Sequence, residues 1–178
     1  MKIYSLLLFD NNNNIISKAF ELTSFSYFQR NSIKEFIVFF CNMIINNIDY
    51  NQNNRIEHNE FVIYCLKTVN NFCCLICNNE YPSQPAYLTL YNIIHKQSTT
   101  NELEKLIIKI QDPLETNKIF KIQNNLNETK EILYNTIDSL LERGEKLENL
   151  VEKSNILSSQ SKMFYSVAKK HNSCCYIS

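Results

Sequence analysis

Leu140-Leu141-Glu142-Arg143-Gly144-Glu145-Lys146-Leu147-Glu148-Asn149-Leu150 is the stretch on which the reading of this 178-residue chain turns. Leu140, Arg143, Leu147 and Leu150 stand at alternating steps of three and four. Carried outward, the alternation picks out Ile119, Ile122, Leu126, Thr129, Leu133 and Thr136 on one side. On the other side it meets Ser154, Leu157, Ser161, Phe164, Ala168 and His171. A register that holds for more than seven heptads predicts one long helix of a left-handed coiled coil, because a 3.5 repeat keeps a narrow seam facing a partner. Residues between the seam positions read as mostly polar. Such a helix depends on partners for its stability.

Arg143 is the odd member of the seam. Taking a guanidinium out of water costs several kcal/mol unless acceptors surround it, and the flanking Leu140 and Leu147 supply none. The functional reading is that three other helices each bring a polar side chain to this level. A hydrogen-bonded layer of that kind fixes register and partner identity more than it adds stability. Set against this is a shifted register with Arg143 on a solvated flank, which the unbroken leucine spacing on both sides opposes.

Working toward the N-terminus, Asp112-Pro113 ends a short helix that Thr99-Thr100-Asn101-Glu102 opens, and it marks the boundary between two halves. In the first half, Met1 to Phe9 and Ile15 to Leu22 are β-prone runs around Asn11 to Asn14, which predicts a hairpin. Ser32-Ile33-Lys34-Glu35 reads as a capping box opening a helix with Ile33, Phe36, Ile37, Phe40 and Ile44 on one face. Phe39, Val38 and Ile45 lie off that face, an apolar excess that marks a partner site unless other helices cover it. Glu57 to Asn70 and Phe72 to Asn78 read as strands, with a fifth strand to be sought between Phe61 and Asn78. Pro85 suits the first turn of a helix over 86–95. This order predicts an α+β fold, an antiparallel sheet with helices packed on it.

Composition narrows the function. Lys+Arg and Asp+Glu balance at 18 each, so no net field draws the chain to nucleic acid. The apolar run at Met1–Phe9 is too short to span a bilayer and is read as a buried strand, so the chain is expected to stay on the cytosolic side of membranes. Of the seven cysteines, Cys41, Cys65, Cys73, Cys74 and Cys77 sit in apolar segments, where free thiols behave as small hydrophobes. The CxxC spacing of Cys74 and Cys77 has no second pair at metal-ligand spacing, and no metal or other cofactor is expected.

The stretch from Leu140 to Ser154 resembles the centre of an R-SNARE motif, and it is closest to the prenylated longin R-SNARE family, Ykt-six. Ser161-Lys162-Met163-Phe164-Tyr165 and Asn172-Ser173-Cys174-Cys175 are similar to the C-terminal end of that family. Tyr27-Phe28-Gln29-Arg30-Asn31-Ser32 and Glu80-Tyr81-Pro82 resemble its longin domain. The departures are the Asn-rich loops and a shortened link between the halves.

The resemblance implies a longin (profilin-like) domain over 1–112, with a five-stranded antiparallel sheet flanked by helices. A linker over 113–118, a long coiled-coil SNARE helix over 119–171 and a lipidated tail over 172–178 follow. It implies that Arg143 is the central-layer arginine of a four-helix bundle with three Q-SNARE helices, and that zippering of this bundle drives vesicle fusion. The seam layers are then Ile119, Ile122, Leu126, Leu133, Leu140, Leu147, Leu150, Leu157, Phe164 and Ala168.

Cys175-Tyr176-Ile177-Ser178 fits a C-a-a-X prenylation signal, with the terminal Ser favouring farnesyl and Tyr176 departing from an aliphatic residue. One prenyl chain anchors only marginally, so Cys174 is the candidate for palmitoylation. These covalent lipids, and no other cofactor, are expected. The protein would cycle between the cytosol and the cytosolic face of Golgi, ER-derived vesicle and endosomal or vacuolar membranes. In the soluble form, an intramolecular contact between the longin domain and the SNARE helix would cover the prenyl group in a groove at Phe36, Phe39, Phe40 and Met43. Ser154 and Ser161, at seam positions, are candidates for a phosphorylation switch.

Two other classes compete. A cytosolic coiled-coil adaptor would keep the heptads but make no use of Arg143 or Cys175. An acyl-transfer protein would use Cys174 or Cys175 with His171, yet no third group orients that base, and the chain is read as no enzyme.

Overall fold

The computed structural model describes residues 1–112, 115, 131–141 and 145–174, with side chains described as far as Lys169. Nothing further is said of the rest. The first half begins with the expected hairpin, β1 (Ile3–Asp10) and β2 (Ile15–Phe20). Its turn is built by Asp10, whose carboxylate accepts the backbone N–H groups of Asn12 and Asn14, each at 2.8 Å, and Asn13 takes a left-handed φ of 63°. These bonds, led by the one from the Asn14 side chain, hold the Asp10 carboxyl below the ordinary carboxylate range.

Helix α1 spans Tyr27–Asn47 and so starts earlier than the Ser32 box predicts. Ser26 caps it in an extended conformation without a side-chain bond. What fixes the entry is Arg30, which donates to the carbonyls of Phe25 (3.0 Å) and Thr23 (3.2 Å). Ser32 is a buried residue inside the helix, and Glu35 is left to bond elsewhere.

Three strands follow where two were read. They are β3 (Asn53–His58), β4 (Phe61–Lys67) and β5 (Asn71–Asn78). The turn at Asn59, with φ 55°, cuts the expected Glu57–Asn70 strand in two, so the fifth strand lies upstream of Phe61. Helix α2 (Ser83–Lys96) carries Pro85 in its first turn, and α3 (Thr100–Lys109) starts where expected, on a capping box of Thr99 and Glu102.

The second half departs from a single uninterrupted helix. Residues Glu131–Tyr134 form β6, Ile137–Leu140 make a 3-10 turn, and two helices follow, α4 (Leu147–Lys153) and α5 (Ser159–Cys174). The physical reason is packing. A narrow seam gains more by lying against the apolar face of the first half than by staying helical and wet. The fold is α+β as expected, with the sheet enlarged to six strands in the order β2-β1-β5-β4-β3-β6. All neighbours are antiparallel except β3 and β6, which run parallel with Asn53 opposite Glu131 and Ile56 opposite Tyr134.

The sheet divides two cores. One face packs against α2 and α3 through Leu6, Leu8, Tyr64, Leu75, Leu90 and Leu103. The other packs against α1 through Leu7, Phe9, Ile44, Ile63 and Phe72, and it is completed by Ile137, Leu140, Leu147, Val151 and Leu157 of the second half. Cys41, Cys65 and Cys74 belong to the α1 side, Cys73 and Cys77 to the other, all as free thiols. Burial, ahead of any neighbouring charge, pushes the thiols of Cys41, Cys65, Cys73 and Cys77 up, which keeps them protonated and unreactive. Among the described residues, no helix is long and apolar enough to cross a membrane.

Candidate functional site

The site is the seat of the second half on α1. The apolar excess noted on α1 is largely covered: Phe39 and Ile45 are 7% and 4% exposed, and Val38 is half-buried. They share one core cluster with the sheet and with the segment from β6 to α5, hereafter the arm. Ring contacts run across the seat, Tyr165 of α5 lying 5.7 Å from Phe36, which in turn lies 6.0 Å from Phe40; Phe40 meets His58 at 6.1 Å.

Between α1, the sheet and the arm is a cavity of about 420 Å³. Its apolar wall includes Tyr4, Ile33, Phe40, Phe61, Ile137 and Phe164. Of the four groove residues read from sequence, Phe36 and Phe40 line this space, whereas Phe39 and Met43 are part of the packed core beside it.

The polar groups of the cavity wall include His58, Asn59, Asp138, Glu148 and Lys169. Burial depresses the ionisation of His58 below its ordinary value, and the Asp138 carboxylate offsets this only in part. Glu148 and Lys169 form an ion pair that ties α5 to α4; hydrogen bonding to Lys169 lowers the Glu148 carboxyl, and the same bond raises Lys169.

A second polar clasp lies at the start of α5. Glu35, free of any capping duty, accepts the Ser158 N–H at 2.8 Å. The Ser158 hydroxyl donates to Ser161 Oγ at 3.2 Å, and Ser161 is fully buried. Burial alone would raise the Glu35 carboxyl, but the Ser158 N–H and the Ser161 and Ser158 hydroxyls outweigh it and hold it below the usual range.

The described part of the seam is therefore largely turned inward. Leu140, Leu147, Leu157 and Ser161 are buried, Leu150 and Phe164 are half-buried, and Leu133 and Ala168 are exposed. Ile119, Ile122, Leu126, Arg143 and Cys175 lie outside the described residues. Cys174 ends α5.

Sequence reasoning missed a second set. Tyr134, Ile137, Leu141, Val151 and Tyr165 all pack on the α1-side core, though the spaces between seam positions read as polar. Each directly follows a seam position: Leu133, Thr136, Leu140, Leu150 and Phe164. That one-residue offset was the signal available in the sequence.

Residues 118–176 match the Synaptobrevin family, and residues 22–119 match the Regulated-SNARE-like domain of the Longin family. The Synaptobrevin homolog YKT6 of Eremothecium gossypii is 37% identical over 199 residues, covering 99% of this chain and 100% of that protein. The Synaptobrevin homolog ykt6 of Schizosaccharomyces pombe is 38% identical with the same coverage. The VAMP-like protein YKT61 of Arabidopsis thaliana is 38% identical over 92% of this chain and 90% of its own length.

Proposed function

The chain belongs to the longin-type R-SNARE family of vesicle trafficking, and from that premise we propose that it gives one helix to a four-helix bundle with three Q-SNARE helices and that the present fold is its autoinhibited form. The observation that carries this reading is the burial of Leu140, Leu147 and Leu157 against the longin domain. Those side chains are seam layers, and one leucine cannot fill the domain core and a bundle layer at once. Closure therefore withholds the seam, and bundle formation requires the arm to leave.

In the bundle, Arg143 meets polar side chains from the three Q-type helices, which satisfies a charge that an apolar layer would leave stranded. Burial of the seam layers, at roughly 0.8 kcal/mol per methylene, supplies the work that draws two membranes together. No bond is made or broken in this step, so no catalytic residue is assigned.

The cavity gives closure a second role. Its volume falls within the range of roughly 300–1,000 Å³ typical of small-molecule sites, and its wall is mostly apolar. Ala168 lines it, α5 runs on to Cys174 about 9 Å of helix later at 1.5 Å per residue, and Cys175 is next in the sequence. A farnesyl group on Cys175 would fold back into this space and be hidden from water. With Cys174 palmitoylated, two chains would hold the protein on the cytosolic face of Golgi, endosomal or vacuolar membranes, and loss of one would release it.

The test is to mix the full chain with three Q-type helices. A heat-resistant four-chain complex that loses its stability when Arg143 becomes Ala is expected. Self-association without that complex would support a coiled-coil adaptor and overturn the SNARE assignment of Arg143. Intact mass of the protein from its own cell reads the lipid separately: added prenyl mass and loss of Tyr176–Ser178 are expected, and an unmodified chain overturns the anchoring.

A further inference from the structure

The join between arm and domain is an edge strand. β3 is paired on one side by β4 and on the other, among the described elements, by β6 alone. The pairing has a chemical register. Ile132 and Tyr134 stand opposite Asn54 and Ile56, and Tyr134 packs on the α1-side core. Glu131 points to the other face, close enough to Tyr87 of α2 that its carboxylate adds to the effect of burial in raising that phenol. β3 thus selects an extended segment of the pattern acidic, apolar, any, aromatic.

Leu133 is a seam position, so the arm cannot enter a helical bundle without giving up β6. Opening exposes the N–H and C=O groups of the β3 edge, and a bare edge is a template for another strand. The segment already shown to fit it, residue for residue, is 131–134 of this same sequence. In the sequence, residues 111–130 separate α3 from β6, a contour length of at most roughly 70 Å at ~3.5 Å per residue.

We propose that the β3 edge takes Glu131–Tyr134 of a second copy, so that two chains exchange arms reciprocally and each completes the other's α1 seat. Every contact of the closed chain is kept. Exchange of an identical element is a low-cost route to a dimer. The term on which the proposal turns is the effective concentration of a tethered arm, on the order of millimolar. Exchange is accordingly driven by crowding of chains, and each exchanged seat holds Ile137, Leu147 and Tyr165 from its partner.

Arg55 and Leu133 are register partners on the α2 side of the sheet. Neighbouring strands lie about 4.8 Å apart, within the Cα separation a disulfide accepts. One preparation carries Arg55→Cys, another carries Leu133→Cys, and both are full chains. The two are mixed under mild thiol–disulfide exchange and digested for mass mapping, so that any 55–133 link joins two molecules by construction. The expected result is a linked peptide whose yield at ~0.5 mM is at least tenfold that at ~5 µM, as a millimolar exchange constant requires. A chain bearing both substitutions should link within itself at either concentration.

Three results overturn the proposal. The first is absence of the between-chain link while the doubly substituted chain closes on itself. The second is failure of that chain to close, which removes the β3–β6 pairing altogether. The third is equal linking to position 133 from Val69→Cys, an exposed site on the β4–β5 turn, which reduces the link to random collision.

Discussion

Replacing Tyr165 by Ala separates closure from bundle formation. Tyr165 follows the seam residue Phe164 and is not itself a layer, yet its ring sits 5.7 Å from Phe36 and lines the cavity. Its phenol is pushed up by burial first and by the Glu148 carboxylate second, so the side chain belongs to the closed interface. An aromatic pair is worth about 0.5–1.5 kcal/mol beyond the area it buries. The half-buried ring adds apolar burial of about 1 kcal/mol at ~25 cal/mol per Å². The loss is about 2 kcal/mol, which multiplies the opening constant by about 30 at 1.4 kcal/mol per decade.

The assay has two readings. Hydrogen exchange should quicken about 30-fold in α4, α5 and the β3–β6 ladder, with β1 and β5 unchanged. Bundle assembly with three Q-type helices should accelerate by up to the same factor, while the heat resistance of the finished bundle stays put. Leu157→Ala is the contrasting variant, since it weakens both states. An unchanged assembly rate for Tyr165→Ala, or a bundle that loses heat resistance with it, would refute the division of labour between the two stripes.

Other perturbations act on the same seat. Phe39→Glu buries an unpartnered carboxylate in the cluster that the arm completes, a change on the order of the 3–5 kcal/mol lost by Phe→Ala; fractionation should show the cytosolic pool moving to membranes or aggregates, and an unchanged distribution counts against the seat. Ser161→Glu forces a charge into a fully buried position beside Glu35. Arm protection and bundle heat resistance should both fall, and full bundles from this variant dismiss the phosphate switch.

Acid should open the arm. The ionisation of His58 is depressed in the closed form, so its contribution is present above the free-histidine value near 6.5 and is lost as pH falls through the lower folded value. Glu35 and Glu148 are depressed in the same sense and add their loss below about 4.5. Protease sensitivity of residues 131–174 should therefore rise between pH 7.5 and pH 5.5, and His58→Gln should flatten the rise. A flat profile in the unsubstituted chain sinks this assignment.

What the sequence made legible was whatever rests on local chemistry. The Thr99–Glu102 box makes its bonds within one turn, and the β1–β2 turn is closed by Asp10 on its own neighbours. The start of α1 was illegible because Arg30 fixes it through carbonyls up to seven residues back, with no capping side chain to announce it. Strand β3 hid behind Asn53, Asn54 and Arg55, which carry no apolar alternation. They become strand because both backbone edges are paired, by β4 and by β6, and because Tyr91 donates to Asn53 at 3.2 Å. β6 was out of reach for the same reason, since its pairing partner lies some eighty residues away in the sequence.

The described structure departs from the heptad reading, replacing one long helix by a strand, a 3-10 turn and two helices. A seam spaced for a bundle offers a globular face a narrow contact, because a 3.5-residue stripe follows a straight line and the α1 seat does not. The closed form resolves the mismatch by breaking the stripe at 134–137 and 153–159 and by enlisting the offset residues Ile137, Val151 and Tyr165. Those offset residues can be tuned without touching the layers that partners recognise. Under the proposed function, stability of the closed state and specificity of the bundle lie in part on separate side chains of one segment. The seam residues packed in this fold, Leu140, Leu147, Leu157, Ser161 and Phe164, would serve in both and so oblige the chain to occupy one state at a time.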